Sequence, residues 1–148
     1  MSSQYQEINE AIAAGNKCLQ QIELIERNLR KARNWGYADI FTRKSLLSGI
    51  IKHDYLDDCQ NDLNKLRVMI ESFNKEVQDV KIVDNVSTIN MSFATKVCDF
   101  IFDSWLTDLI IQNKIEESYS QINNLKNNIQ NIMASLHEAK NNCSKLEV

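Results

Sequence analysis

The sequence predicts an all-α protein: an antiparallel bundle of three long helices with one or two short connecting helices. Three observations support this. From Leu56 to Val80, eight apolar residues follow one another at alternating steps of three and four, which places them on one face of an α-helix. The 148 residues contain no proline, the residue that most often interrupts helices. Similar apolar stripes near both termini make the terminal helices coiled-coil-like.

The length and composition fit a single helical-bundle domain over residues 1–148. Apolar residues make up 43% of the chain and charged residues 25%, values typical of soluble globular proteins rather than of disordered chains. A net charge of −3 disfavours nucleic acid as a partner. The first residues lack the basic and apolar regions of a secretory signal, so we expect a cytoplasmic protein.

The most apolar window, residues 93–111, contains Lys96, Asp99, Asp103 and Asp108. Each such charge costs about 2.5–3.5 kcal/mol at the centre of a bilayer. We therefore predict that this window is buried core and that the chain does not insert into a membrane.

The four cysteines lie about 40 residues apart, and no Cys-x-x-Cys pair occurs. This spacing disfavours a zinc or redox motif. It predicts small apolar side chains in the core of a protein kept in a reducing cytoplasm.

The first helix is predicted over residues 4–33, with Gly15 on its apolar stripe. Glycine weakens a helix by about 1 kcal/mol relative to alanine, so we expect it to permit close approach of a neighbouring helix. Trp35 and Gly36 then predict a structural turn, because glycine is the usual C-terminal cap. Asp39 is the predicted N-cap of the next segment.

The middle of the chain leaves one alternative open. Residues 39–53 form a second, shorter helix, and Asp54 caps a new helix over 55–81, or the chain is helical without a break from 39 to 81. Residues 82–91 predict a loop, with Ser92 as a cap for the helix that follows.

The helix over 93–106 is apolar on more than one face, so it is expected to be buried on more than one side. The apolar segment 93–111 as a whole is expected to close one end of the core. The last helix follows and is about 37 residues or 55 Å long. Its apolar stripe is longer than the rest of the core, which makes four of its residues the predicted interaction surface: Leu125, Ile129, Ile132 and Leu136.

An alternative site uses acidic residues and histidine. Asp99 and Asp103 are four residues apart and share a helical face, and so do His53 and Asp57. Paired carboxylates in an apolar setting bind divalent cations or share a proton. These four residues are the candidate metal ligands, although the Glu-x-x-His motif of metal-binding bundles is absent.

Other chemistry has less support in the sequence. The single basic cluster lies at the end of the first helix and just after it, and comprises Arg27, Arg30, Lys31, Arg33, Arg43 and Lys44. Its simpler interpretation is a solvated helix end that matches the negative end of the dipole, and the alternative is an RNA- or phosphate-binding patch. Three isolated glycines do not form a phosphate-binding loop, and no Gly-x-Ser-x-Gly nucleophile motif occurs. We therefore predict no cofactor and lean away from an enzyme.

Five short motifs carry a resemblance: Asn-Trp-Gly-Tyr-Ala-Asp at 34–39, Lys-His at 52–53, Glu-Val-Gln-Asp-Val at 76–80, Asp-Phe-Ile-Phe-Asp at 99–103, and Lys-Ile at 114–115. In this order they resemble a loosely defined family of uncharacterised bacterial helical proteins, in which Trp-Gly-x-x-Asp ends a long helix.

The resemblance covers residues from about 8 to about 136. It implies a helical fold ending in a coiled-coil helix, and it transfers no activity. This chain departs from the family at 43–46, where Arg-Lys-Ser-Leu replaces a glycine-rich turn.

The predicted function is a non-catalytic protein–protein interaction or scaffold module. Its mechanism is burial of a heptad stripe against a helix of another protein or of a second copy in a homodimer. The alternative is a metal- or ligand-binding protein, an enzyme or a sensor, that uses Asp99, Asp103 and His53.

Overall fold

The computed structural model contains four α-helices: α1 (Gln4–Asp39), α2 (Ile50–Asp79), α3 (Met91–Leu106) and α4 (Lys114–Leu146). It describes residues 3–39, 50–80, 87–106 and 114–146, and side chains within 3–31, 57–80, 87–106 and 114–143. These ranges contain no strand. The all-α prediction is confirmed.

Neighbouring helices run antiparallel. At one end of the molecule Glu7 on α1 lies beside Glu76 on α2, while the Lys140 ammonium on α4 lies 5.7 Å from the centre of the Tyr5 ring. Both α1 and α3 pack on α2 and on α4. Within the described ranges α1 does not pack on α3, and α2 does not pack on α4, so the bundle is roughly square in cross-section.

This arrangement corrects the predicted order of packing. From the sequence alone we expect the 55–81 helix at the centre of the bundle, with the first and last helices packed against it. Instead α1 contacts both of the other long helices, because α3 occupies the side of α2 that α4 was expected to fill.

The helix α3 lies along α2 and does not close an end of the core. The Cys98 thiol is 3.8 Å from the backbone carbonyl oxygen of Leu63, and Asp99 lies beside Arg67 on the same pair of helices. The connection before α3 is fixed further along α2, at Asn74. The apolar faces of α3 are therefore buried against the sides of α2 and α4.

The predicted turn at Trp35, Gly36 and Asp39 is wrong. The helix α1 continues through Trp35 and Gly36, and Asp39 is its last residue rather than the N-cap of another helix. One glycine inside a helix costs only about 1 kcal/mol, which a helix of 36 residues held by two neighbours tolerates.

The sequence leaves open whether residues 39–81 form one helix or two, and the structure answers this for residues 50–79. The backbone is helical from Ile50 through Asp54 to Asp79, so Asp54 does not start a new helix. Residues 40–49, most of the predicted short helix, lie outside the described residues.

Asn90, and not Ser92, caps α3. The Asn90 side-chain oxygen accepts hydrogen bonds from the backbone N–H groups of Ser92 and Phe93, at 2.9 and 3.3 Å. Asparagine is among the best N-cap residues because its short side chain reaches the free N–H groups of the first turn.

The apolar stripe of α2 forms the core as predicted. Leu63, Ile70 and Val77 are 2%, 0% and 5% exposed, and Phe73 is fully buried. The side chain of Leu56, where the stripe begins, lies outside the described residues.

Gly15 lies where α1, α2 and α4 meet. A methyl group added at its Cα would overlap Met133 Sδ and lie 2.9 Å from Phe73 Cε1. The predicted role of Gly15 in close approach is consistent with this geometry.

Candidate functional site

The predicted interaction surface on the last helix is buried within the chain itself. Leu125, Ile129 and Leu136 are 0% exposed, and Ile132 is 7% exposed. The helix α1 is similar in length to α4 and packs along it, so the apolar stripe of α4 is covered by a helix of the same chain. We therefore correct the prediction: these four residues do not form an open docking surface.

Polar contacts fix α4 against α1. The Lys126 ammonium donates to Glu26 Oε1 at 3.3 Å, and the Tyr119 hydroxyl donates to the Glu26 backbone carbonyl at 3.5 Å. Beside them is an open groove of about 410 Å³ that includes Arg30 and Gln130. Two of its charged groups, Lys126 and Glu26, already hold the two helices together.

The structure describes the side chains of three of the four predicted ligands, and these three form no common cluster. Asp57, Asp99 and Asp103 are exposed, and the Asp99 carboxylate lies 3.9 Å from the Arg67 guanidinium. Arg67 and His53 are both on α2, about 21 Å apart along its axis. The side chain of His53 lies outside the described residues.

A different acidic cluster forms at the opposite end of α2. Carboxylate oxygens of Glu7, Glu76 and Asp79 lie within 4.8 Å of one another. Burial raises the pKa of Glu76, and the nearby charges of Glu10, Asp79 and Glu7 raise it further. Glu76 therefore keeps its proton to a higher pH than an isolated glutamate would, because protonation relieves its desolvation and its repulsion by the neighbouring carboxylates.

The sequence offered no clear signal for this cluster, since Glu7 and Glu76 are far apart in the chain. Finding it required the register between α1 and α2. Exposed carboxylate groups of this kind are common in proteins that bind no ion, so the cluster alone does not indicate a metal site.

Two of the cysteines are poor nucleophiles at neutral pH. All four are buried and none forms a disulfide, and burial raises the pKa of Cys18 to about 12 and that of Cys98 to about 11. The thiolate is the reactive form, so both thiols are inert at neutral pH.

A second polar contact fixes the register of α1 on α2. The Gln21 side-chain amide donates to the Asp62 backbone carbonyl at 2.8 Å. Two turns further along α1, the Asn28 amide donates to the Asp62 carboxylate at 3.0 Å. This face of α2 is therefore occupied by α1.

The outward side of α2 is open. We call it the outer α2 stripe. Its members lie at helical spacing and are all exposed: Asn61, Asn64, Lys65, Val68, Glu71, Ser72 and Lys75. Val68 is 62% exposed, the highest value among the large apolar side chains of the described residues, ahead of Leu106 at 46% and Leu24 at 37%.

A depression of about 410 Å³ lies on this stripe, lined by Asn61, Asn64, Lys65, Val68 and Met69. The first four stand at positions i, i+3, i+4 and i+7. That is the set of residues that forms a hole for a side chain of a facing helix in coiled-coil packing. The outer α2 stripe thus has the local shape of a helix-docking surface.

Within the described ranges, no helix is long and apolar enough to cross a membrane. Comparison with known proteins identifies no relative: no protein-family model matches the sequence, and no curated protein or solved structure matches it.

Proposed function

We propose that the protein is a non-catalytic protein–protein interaction module that acts through the outer α2 stripe. The observation that carries this proposal is Val68, a β-branched apolar side chain that is 62% exposed at the edge of the depression on α2. An isolated exposed valine is ordinary on a protein surface. Val68 is one of the four residues that form the hole, and this position favours a docking role for its side chain.

The buried polar groups favour a structural use of the interior. Gln21 and Asn74 are both 8% exposed, and each hydrogen-bonds to backbone groups of another segment. Catalytic sites usually combine a cavity with titratable groups whose pKa values are perturbed. Glu76, whose pKa is raised, lines neither of the two depressions of about 410 Å³ on α1, α2 and α4.

The alternative proposal, a metal or ligand site at Asp99, Asp103 and His53, has less support. The Asp99 carboxylate already has the Arg67 guanidinium beside it. Both Asp99 and Asp103 are exposed, so neither lies in the apolar setting that makes a carboxylate pair bind ions strongly.

We also propose that the protein works in a reducing compartment such as the cytoplasm. Its four cysteines are buried, and none of them forms a disulfide. Proteins of oxidising compartments more often use cysteines in disulfides.

The test compares three tagged proteins in native cell extract: the wild type, Val68→Asp and Ala134→Asp. Both substitutions place a carboxylate on an exposed helical face, one on the outer α2 stripe and one on α4. We expect partners to be recovered with the wild type and with A134D, and recovery with V68D to fall at least about tenfold. Equal recovery with all three proteins would contradict a role for the stripe.

A further inference from the structure

We propose that the partner of the outer α2 stripe is a second copy of this chain, whose α2 packs antiparallel to the first about a two-fold axis beside Val68. This inference rests on the proposed function and specifies its partner. It follows from the symmetry of the charges on the stripe, from the other faces of α2 being occupied, and from the depression beside Val68.

The charges are self-complementary. Lys65 and Glu71 lie three residues before and three residues after Val68. In an antiparallel pair centred on Val68, residues equidistant from the centre face each other. Lys65 therefore faces the partner's Glu71, and the same contact occurs a second time through the symmetry.

The rest of the stripe fits this arrangement. Asn64 faces the partner's Ser72, and Asn61 faces the partner's Lys75, whose ammonium can donate to the amide oxygen. Within the stripe no two like charges come opposite each other; beyond it, about 16 Å along α2 from the axis, Asp57 comes opposite the partner's Asp79 and weakens the pair. A parallel arrangement would instead set Lys65 against lysine and Glu71 against glutamate, which is repulsive, so the charges favour the antiparallel pair.

Both charges are available for this contact. Lys65 and Glu71 are exposed and make no ion pair with any residue that the structure describes. The other sides of α2 are occupied, one by α1 through Asp62 and one by α3 through Leu63 and Arg67. The outer α2 stripe is thus the side of this helix left for a second copy.

The shape of the stripe agrees with the charge pattern. The depression between Asn64 and Lys65 comes opposite the partner's Ser72, a small side chain that such a hole accommodates. The apolar contribution is small, because Val68 is the single large apolar side chain among the members of the stripe. One helix pair also buries less than the roughly 1,600 Å² of a standard interface, so the dimer is weak and depends on concentration.

The experiment is analytical ultracentrifugation of the full chain at low salt, from about 10 µM to about 1 mM. The wild type is expected to rise from 17.1 kDa towards twice that mass. Lys65→Glu and Glu71→Lys each create two like-charge contacts across the axis, so each variant alone should associate at least about tenfold more weakly.

An equimolar mixture of K65E and E71K gives the decisive result. In the mixed dimer each introduced charge faces an opposite charge, so association should return to the wild-type level. The double variant K65E/E71K should dimerise as well. Lys17→Glu changes the net charge by the same amount as K65E, but at an exposed site on α1, and should dimerise like the wild type.

Thermal melts of each variant ensure that loss of association is not loss of folding. If K65E or E71K unfolds, Lys65→Gln and Glu71→Gln test the same contacts without charge reversal. A wild type that stays monomeric over the whole range would overturn the dimer, as would a mixture that associates no better than its components. In that case the proposed interaction function would still be supported if the wild type recovers a different protein from the cell extract and V68D does not.

Discussion

The side-chain amide of Asn74 forms two hydrogen bonds with the backbone of Ile89. It donates to the Ile89 carbonyl at 2.9 Å and accepts from the Ile89 N–H at 2.8 Å. Asn74 is 8% exposed and Ile89 is 4% exposed, so the pair lies largely away from water. One α2 side chain thus satisfies both polar groups of a buried backbone segment, and it fixes the position at which α3 begins.

Asn74→Asp should lower the free energy of unfolding by about 2–3 kcal/mol at pH 7. The substitution keeps the shape, removes the donor to the Ile89 carbonyl and buries a carboxylate next to that oxygen. Urea denaturation measures the change. The loss should shrink under acidic conditions, because a protonated carboxyl group can again donate.

Asn128→Asp is the matched control, since Asn128 is exposed on α4. Surface substitutions of this kind usually change stability by less than about 0.5 kcal/mol. If N74D were no more destabilising than N128D, the two hydrogen bonds would not be fixing the α2–α3 connection.

Gly15→Ala should lower the free energy of unfolding by about 1 kcal/mol. Alanine gains about 1 kcal/mol in helix propensity, but the new methyl group overlaps Met133 and Phe73, and overpacking typically costs 1–3 kcal/mol. Met133 has a flexible side chain, whereas Phe73 is fully buried, so the ring has little room to move.

The control for Gly15→Ala is Ala13→Gly, at an exposed site on the same helix. It measures the propensity difference without the packing effect and should cost about 1 kcal/mol. Adding Met133→Ala to G15A should make the alanine less harmful, which is a coupling between contacting residues. If G15A raised the free energy of unfolding by as much as A13G lowers it, the close packing of Met133 and Phe73 on Gly15 would be contradicted.

The regular features of the fold follow from residue periodicity. The spacing of three and four on α2 predicted its buried face, and Leu63, Ile70 and Val77 are buried. Periodicity cannot say which helix covers a stripe, and for this reason Leu125 and Leu136 were expected to face a partner. Their partner is α1, because the two terminal helices have similar lengths and lie side by side.

The candidate sites depended on helix register, which the sequence does not contain. Glu7 and Glu76 meet because α1 and α2 are antiparallel with one particular offset, fixed in part by Gln21 and Asp62. Asp99 and His53 are on neighbouring helices but lie at different heights. The spacing of residues along the chain predicts which residues are neighbours within one helix. It does not predict which residues of two different helices come together.

The turn predicted at Gly36 offers a direct test of helix continuity. Because α1 is helical through this residue, Gly36→Ala should raise the free energy of unfolding by up to about 1 kcal/mol. At a C-terminal cap with positive φ the same substitution would be destabilising. Chemical denaturation distinguishes the two outcomes by the sign of the change.

Stability should increase as the pH falls through the titration range of Glu76. The pKa of Glu76 is raised in the folded protein by burial and by Glu10, Asp79 and Glu7, so the folded state binds this proton more tightly than the unfolded state. The ionised group therefore costs stability above its folded pKa. That cost disappears as the pH falls from the raised pKa towards the ordinary value of 4.5.

Glu76→Gln should remove this pH dependence and raise the free energy of unfolding at pH 7 by about 0.5 kcal/mol, a small value because the group is partly exposed. Denaturation at several pH values and low protein concentration checks both effects. Glu71→Gln removes the same charge from an exposed position of α2 and controls for the change in net charge. A wild type and an E76Q variant with parallel pH profiles would show that the carboxylates do not repel one another in the folded protein.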